Sequence, residues 1–200
     1  MPARRAISIR PLTPERWPDL EKLFGERGAC GGCWCMTWRL PRAEWEAGKP
    51  AGNKQAFCSL VEDDAQPGVL AYQGNEPIGW CAVAPRDVYI RLRNSRVLAP
   101  VDERPVWSIS CLFIAKPFRR QGLSVKLIKA AVEFARSKGA TAVEAYPIVP
   151  YSESMPSAFG WTGILSAYER AGFQEAARRS DARPIMRKEC KPINARSNRR

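Results

Sequence analysis

Two stretches of this chain combine residue types that can do chemistry. The first is Arg119-Arg120-Gln121-Gly122-Leu123-Ser124, a basic turn with one glycine, set between an apolar run and a long helical pattern. Free backbone N–H groups at a helix start, together with the helix dipole, form a site for phosphate oxygens, and arginine adds charge. The arrangement suits a pyrophosphate. Taken alone it also fits a turn whose glycine is only conformational and whose arginines are solvated. The second stretch is ACGGCWCMTW, residues 29–38, with three cysteines, a Gly-Gly pair and two tryptophans. Cys30 and Cys33 have the spacing of a zinc knuckle or a redox dithiol. A structural zinc site needs a second ligand pair, and Cys58, Cys81, Cys111 and Cys190 are scattered singly. A redox dithiol belongs after a strand at a helix start, whereas this one follows a helical pattern. No metal site is expected, and thiols packed as small hydrophobes are the simpler reading.

There is no histidine in the 200 residues, which removes Ser-His-Asp and Cys-His sites, imidazole bases and histidine ligands. The 32 Lys and Arg against 20 Asp and Glu give a net charge of +12 and favour anionic partners. Much of that excess sits at the ends, in Arg4-Arg5 and in residues 191–200, read as a basic, solvated tail outside a single domain spanning 1–190. The charge alone therefore weighs against specific nucleic-acid binding. No apolar run approaches the roughly 18 residues a bilayer requires, and the first residues have no signal-peptide h-region. The expectation is a cytoplasmic chain with reduced thiols and no membrane partner.

The elements that must hold these stretches are legible from periodicity. Residues 7–12 alternate as a half-buried strand, and Thr13-Pro14-Glu15 opens a helix to about Phe24. A second helix is predicted over 53–65, then strands over 69–73 and 78–84 joined by a Gly-Asn-Glu-Pro turn. Residues 87–96 form a short helix, 100–105 a loop and 106–114 an apolar strand. Leu123, Leu127, Ala131 and Phe134 make one face of the longest helix, which Gly139 ends. A strand over 141–146, a long connection over 147–160, a helix over 162–170 and strands over 173–177 and 185–188 complete the chain.

With that order in place, the chain resembles the GNAT family of acetyl-CoA-dependent N-acetyltransferases. The family signature is Arg or Gln, two residues, Gly, one residue, then Gly or Ala; here it is Arg119 to Ser124, with serine at the last position. Downstream, AYERAGF is similar to the family's Tyr-x-x-x-Gly-Phe element. The resemblance implies a mixed α/β (α+β) fold with a central, mostly antiparallel twisted sheet flanked by helices. It implies that the main chain of Leu112, Phe113 and Ile114 holds the pantetheine arm. It also implies that Arg119, Arg120, Gln121, Gly122, Leu123, Ser124 and Val125 hold the coenzyme phosphates. An asparagine frequent in the family, seven residues before the tyrosine, is here Trp161. This branch is expected to build that wall from an aromatic ring.

The same resemblance implies direct transfer. A neutral amine attacks the acetyl carbonyl, backbone N–H groups of the signature strand polarise its oxygen, and Tyr168 protonates the departing thiolate. Glu144, Glu153 or water are the candidate bases. A ping-pong route through a cysteine would need a thiol activated without histidine. In the family's fold the segment between the first two helices borders the acceptor cleft, so Trp34, Met36, Trp38 and Arg39 are expected to line it, with core packing as the alternative. Acetyl-CoA is the expected co-substrate, without metal. The partner is a small-molecule or peptide amine, and a homodimer is compatible with the sequence. A coenzyme-binding sensor without catalysis is the alternative function, and a basic nucleic-acid-binding protein a third.

Overall fold

The computed structural model describes residues 6–151 and 160–191. Its strands are β1 (Ile7–Pro11), β2 (Gly68–Gln73), β3 (Glu76–Pro85), β4 (Trp107–Ile114), β5 (Ala142–Ala145), β6 (Gln174–Ala177) and β7 (Ile185–Glu189). Its helices are α1 (Trp17–Phe24), α2 (Arg42–Ala47), α3 (Ala51–Glu62), α4 (Ile90–Arg93), α5 (Leu123–Ser137) and α6 (Leu165–Ala171). The strands form one sheet in the order β1-β2-β3-β4-β5-β7-β6. Every neighbouring pair is antiparallel except β4 and β5, which α5 connects in parallel. This is the mixed α/β architecture, with a mostly antiparallel sheet between helices, that the family resemblance implied.

Alternation along β3 divides the core. Cys81 and Val83 face α5 and α6, and pack with Leu127, Ile128, Ala131 and Tyr168. Trp80 and Ala82 face the other way, onto Leu20, Phe24, Phe57 and Val61 of α1 and α3. The apolar face read from α5 is buried as expected: Leu123, Leu127, Ala131 and Phe134 are all inside, joined by Ile128, Val132 and Ala135. Each buried leucine, isoleucine, valine or phenylalanine of this face contributes about 1.5–3 kcal/mol.

Two irregularities in the sheet place the site. The β3–β4 register passes from Ala82 opposite Cys111 to Val83 opposite Ile109, leaving Ser110 without a partner, a bulge in β4. The β4–β5 ladder then stops at Ile109 opposite Ala145, although β4 continues to Ile114. Past that point, among the described residues, the β5-facing edge of β4 has no strand beside it.

Some predicted boundaries move for physical reasons. Residues 160–163 form a turn, Gly163 adopts φ +83°, and the helix begins at Leu165. The helix predicted over 87–96 is a 3-10 turn, Arg86–Val88, followed by the single helical turn of α4. Thr13 does not cap a helix with its side chain; its hydroxyl accepts a hydrogen bond from Arg16 instead. The short helix α2 was not anticipated, because its six residues are too few for a periodic signal. Among the described residues no helix is long and apolar enough to cross a membrane.

Candidate active site

The edge of β4 left bare by β5 forms one side of a cleft of about 260 Å³. Leu112, Phe113 and Ile114 line it from the strand, and Arg119 and Ser124 from the signature turn. The opposite wall is Gly160, Trp161, Gly163 and Ile164, with Ala167 of α6 behind them. Ala29 and Cys30 close one end. The cleft thus joins the two elements the sequence singled out, the apolar strand and the basic glycine turn.

The turn reaches its shape through Arg120 at φ +58° and Gly122 at φ +75°, and a Cβ added at Gly122 would meet nothing within 4 Å. Glycine is there for its backbone conformation, and the space over it stays open. Among the described residues no side chain caps the start of α5, so its first N–H groups can meet an anion. Arg119 crosses back to the strand, its Nε donating to Ile114 O at 2.8 Å. Arg120, Gln121 and Gly122 are exposed; Val125 is half-buried, and the side chain of Leu123 goes into the core, leaving its N–H at the helix start.

The hydrogen bonds across the cleft come from one turn. Leu112 N–H points away from β3 and donates to Trp161 O at 2.7 Å. Tyr168 is fully buried, and its hydroxyl donates to Thr162 O at 2.9 Å. Burial holds this phenol protonated, its pKa pushed well above the ordinary tyrosine value. Tyr168 does not line the cleft itself; it stands behind Gly163, where an added Cβ would lie 2.6 Å from the tyrosine ring. Its ring also packs edge-on against Phe173 at 5.3 Å.

The cysteine stretch is divided. Trp34 and Met36 do not line the cleft: they are buried in the core with Phe24, Trp80 and Cys111, which corrects their assignment to the acceptor wall. The chain turns through positive φ at Trp34 and Cys35, which sends Trp34 over Gly28 rather than outward. Trp38 and Arg39 are half-buried and do not line the cleft themselves. Trp38 donates its indole N–H to Ser110 O at the β4 bulge and lies 5.6 Å from the Trp161 ring, while Arg39 sits over Tyr89. Ala29 and Cys30, not singled out as cleft residues, are the part of the stretch that reaches it.

The thiols of Cys33 and Cys111 are poorly suited to nucleophilic work. Burial and the neighbouring Cys35 push the Cys33 thiol up to about 11. Cys111 is raised well above its ordinary value by hydrogen bonding with Cys35 and by burial. All seven cysteines are free, and Cys35 accepts the Trp80 indole N–H at 3.2 Å. Nδ2 of the buried Asn53 binds Gly32 O and Trp45 O, both at 3.0 Å, and so anchors this segment to α3. Asn53 went unnoticed in the sequence; an amide among the apolar positions of a helix was its only signal.

Of the candidate bases, Glu144 is buried away from the cleft, paired with Arg187 at 2.7 Å and accepting from Tyr146. Arg86, buried against Tyr146 at 2.7 Å, completes this cluster at the other end of β4. Glu153 lies outside the described residues.

A family model for the acetyltransferase (GNAT) family matches residues 34–156. The chain belongs to the GNAT acetyltransferase family. Its match spans the bulged strand and the basic turn and ends before Tyr168. The chain is also similar in fold to a GNAT-family acetyltransferase from Listeria monocytogenes, 13% identical, with TM-score 0.54 over 92% of this chain and 95% of that one. A GNAT-family acetyltransferase from Streptococcus agalactiae gives the same identity and TM-score over 92% and 96%. The PaiA N-acetyltransferase of Thermoplasma acidophilum, solved in complex with coenzyme A, is 15% identical, with TM-score 0.51 over 92% and 99%. No curated protein matches the chain in sequence.

Proposed function

We propose that this GNAT acetyltransferase transfers the acetyl group of acetyl-CoA directly to the nitrogen of an amine. One observation carries the reading: the edge of β4 beyond its ladder with β5 and the basic start of α5 open onto the same cleft. Such a cleft offers backbone donors to an extended polar chain at one end and to phosphates at the other.

The residues fit the coenzyme by donor type. The N–H groups of Leu123, Ser124 and Val125 would meet the pyrophosphate, with Arg119 and Arg120 supplying positive charge. The main chain of Leu112, Phe113 and Ile114 would pair with the pantetheine arm. Acetyl-CoA supplies an activated thioester; the chain's part is to orient and polarise it. Leu112 N–H faces the gap and is the donor for the thioester carbonyl oxygen. Tyr168 is the proton donor for the departing thiolate, its phenol kept protonated by burial.

The raised thiols of Cys33 and Cys111 make these two poor nucleophiles, and the proposed route is direct attack by the amine without an acyl-enzyme. Trp38 and Trp161 stack beside the β4 bulge and Arg39 lies over Tyr89; these three are proposed to meet the acceptor. Glu144 is occupied by Arg187, so the acceptor loses its proton to water or to another group.

The test is thiol release from acetyl-CoA across a panel of amines, with calorimetric binding of acetyl-CoA measured alongside. Tight binding with turnover on at least one amine supports the reading. Binding without turnover on any amine would favour a silent coenzyme sensor.

A further inference from the structure

Two consecutive carbonyls of one turn hold the two donors that the proposed reaction needs. Gly163 N–H donates to Gly160 O at 2.8 Å and closes the turn. Within it Trp161 O accepts from Leu112 N–H at 2.7 Å, and Thr162 O accepts from the Tyr168 hydroxyl at 2.9 Å. Leu112 N–H is the proposed polariser of the thioester carbonyl and Tyr168 the proposed acid. Neither can do its work while it is bound to the turn. We infer that the 160–163 turn is an internal occupant of the acyl site, and that an acyl thioester takes its place by exchanging its own carbonyl for that of Trp161. This rests on the function proposed above.

Two further features fit a turn built to seat there and to leave. Gly163 takes φ +83°, and a Cβ on it would stand 2.6 Å from the Tyr168 ring and 2.8 Å from Leu112 Cδ1. The turn lies against both donor residues only because this position carries no side chain. Thr162 Oγ1 is buried without a hydrogen-bond partner among the described residues. An orphaned buried hydroxyl is unusual, and it means that the seated turn does not satisfy all of its own polar atoms.

The displacement required is local. Gly163 O accepts from Ile148 N–H at 2.9 Å, and Leu165 N–H donates to Ile148 O at 3.1 Å, so the C-terminal side of the turn is pinned. Rotation of the peptides of Trp161 and Thr162 would release Leu112 and Tyr168 together and move the Trp161 ring relative to Trp38. Spent coenzyme has no carbonyl beside its sulfur. The turn therefore distinguishes acylated coenzyme from free thiol and reseats after transfer.

The test follows the Leu112 amide in protein labelled with 15N-leucine, in the free state, with saturating coenzyme A and with saturating acetyl-CoA, no amine being present. Trp161 emission is read as the difference between wild type and Trp161→Phe. Acetyl-CoA is expected to move the Leu112 resonance, change its hydrogen exchange by about tenfold and shift Trp161 emission, while coenzyme A leaves all three near the free state. Gly163→Ala should unseat the turn and speed Leu112 exchange by about tenfold without ligand; if that variant does not fold, the wild-type comparison still decides. The inference is overturned if acetyl-CoA binds by calorimetry and the Leu112 and Trp161 signals stay put, or if coenzyme A moves them equally. Failure of acetyl-CoA to bind at all would instead remove the proposed function, and this inference with it.

Discussion

Trp34 and Gly28 occupy adjoining space: a Cβ built on Gly28 would lie 2.2 Å from Trp34 Nε1 and 2.4 Å from Cδ1. The indole is also packed by Phe24 at 5.5 Å and Trp17 at 5.9 Å. This fit turns the middle of the cysteine stretch inward and leaves Ala29 and Cys30 at the cleft. A segment whose composition suggests metal or thiol chemistry is thus, over most of its length, the packing between α1, α3 and the sheet.

Gly28→Ala should therefore cost about 2–4 kcal/mol in denaturant unfolding, from left-handed strain at φ +62° and the collision with Trp34. Gly31→Ala is the control. Gly31 has φ +59° but nothing within 4 Å of an added Cβ, so only the strain, about 1 kcal/mol, should remain. Equal losses for the two variants would contradict the packing account.

Ser124→Asp puts a carboxylate among the uncapped N–H groups of α5, where the coenzyme phosphates are proposed to bind. The acetyl-CoA KM should rise on the order of tenfold or more, with little change in stability. Ser124→Ala should leave KM within about twofold, because main-chain groups are the proposed ligands. An unchanged KM in Ser124→Asp would place the phosphates elsewhere.

Tyr168→Phe removes the proposed acid and the hydrogen bond to Thr162 O. kcat should fall about 100-fold with the acetyl-CoA KM nearly constant, and stability by about 1 kcal/mol. A stability loss of that size with kcat intact would make Tyr168 a packing residue alone.

Cys33 gives a pH prediction with a definite sign. Burial and Cys35 raise its thiol from the ordinary value near 9 to about 11, so the folded chain keeps it neutral where the unfolded chain ionises it. Its contribution to stability is complete below pH 9 and is lost as pH rises towards about 11. Unfolding curves for wild type and Cys33→Ser should converge over that window. Alkylation at pH 8 should modify the exposed Cys30 well before Cys33. Faster modification of Cys33 at pH 8 would show that the thiol is not raised.

Much of the fold was legible because its elements carry strong periodicity. The seven strands and the helices α1, α3 and α5 stand out for that reason, and the glycine turn announces α5. The cleft was legible only in part. Leu112 to Ile114 and the turn are contiguous in sequence, so a local pattern reveals them. The opposite wall depends on Gly160 to Ile164, brought beside β4 by tertiary packing that no local pattern encodes. Trp34 and Met36 were misplaced for the same reason. Aromatic and thioether side chains suit a cleft wall and a core equally well, and the positive φ values at Trp34 and Cys35 that decide between them cannot be read from residue type. The Arg86, Tyr146, Glu144 and Arg187 cluster joins β5 and the residue after it, β7 and a 3-10 turn, and was invisible for that reason.

The most direct test uses acetyl-CoA labelled with 13C in the acetyl group, an amine panel, and mass spectrometry of both small molecules and intact protein. The label should appear on the amine nitrogen of at least one acceptor in step with thiol release, and none should be retained on the protein. Label on a cysteine, or bound acetyl-CoA left intact with every amine, would contradict direct transfer by this cleft.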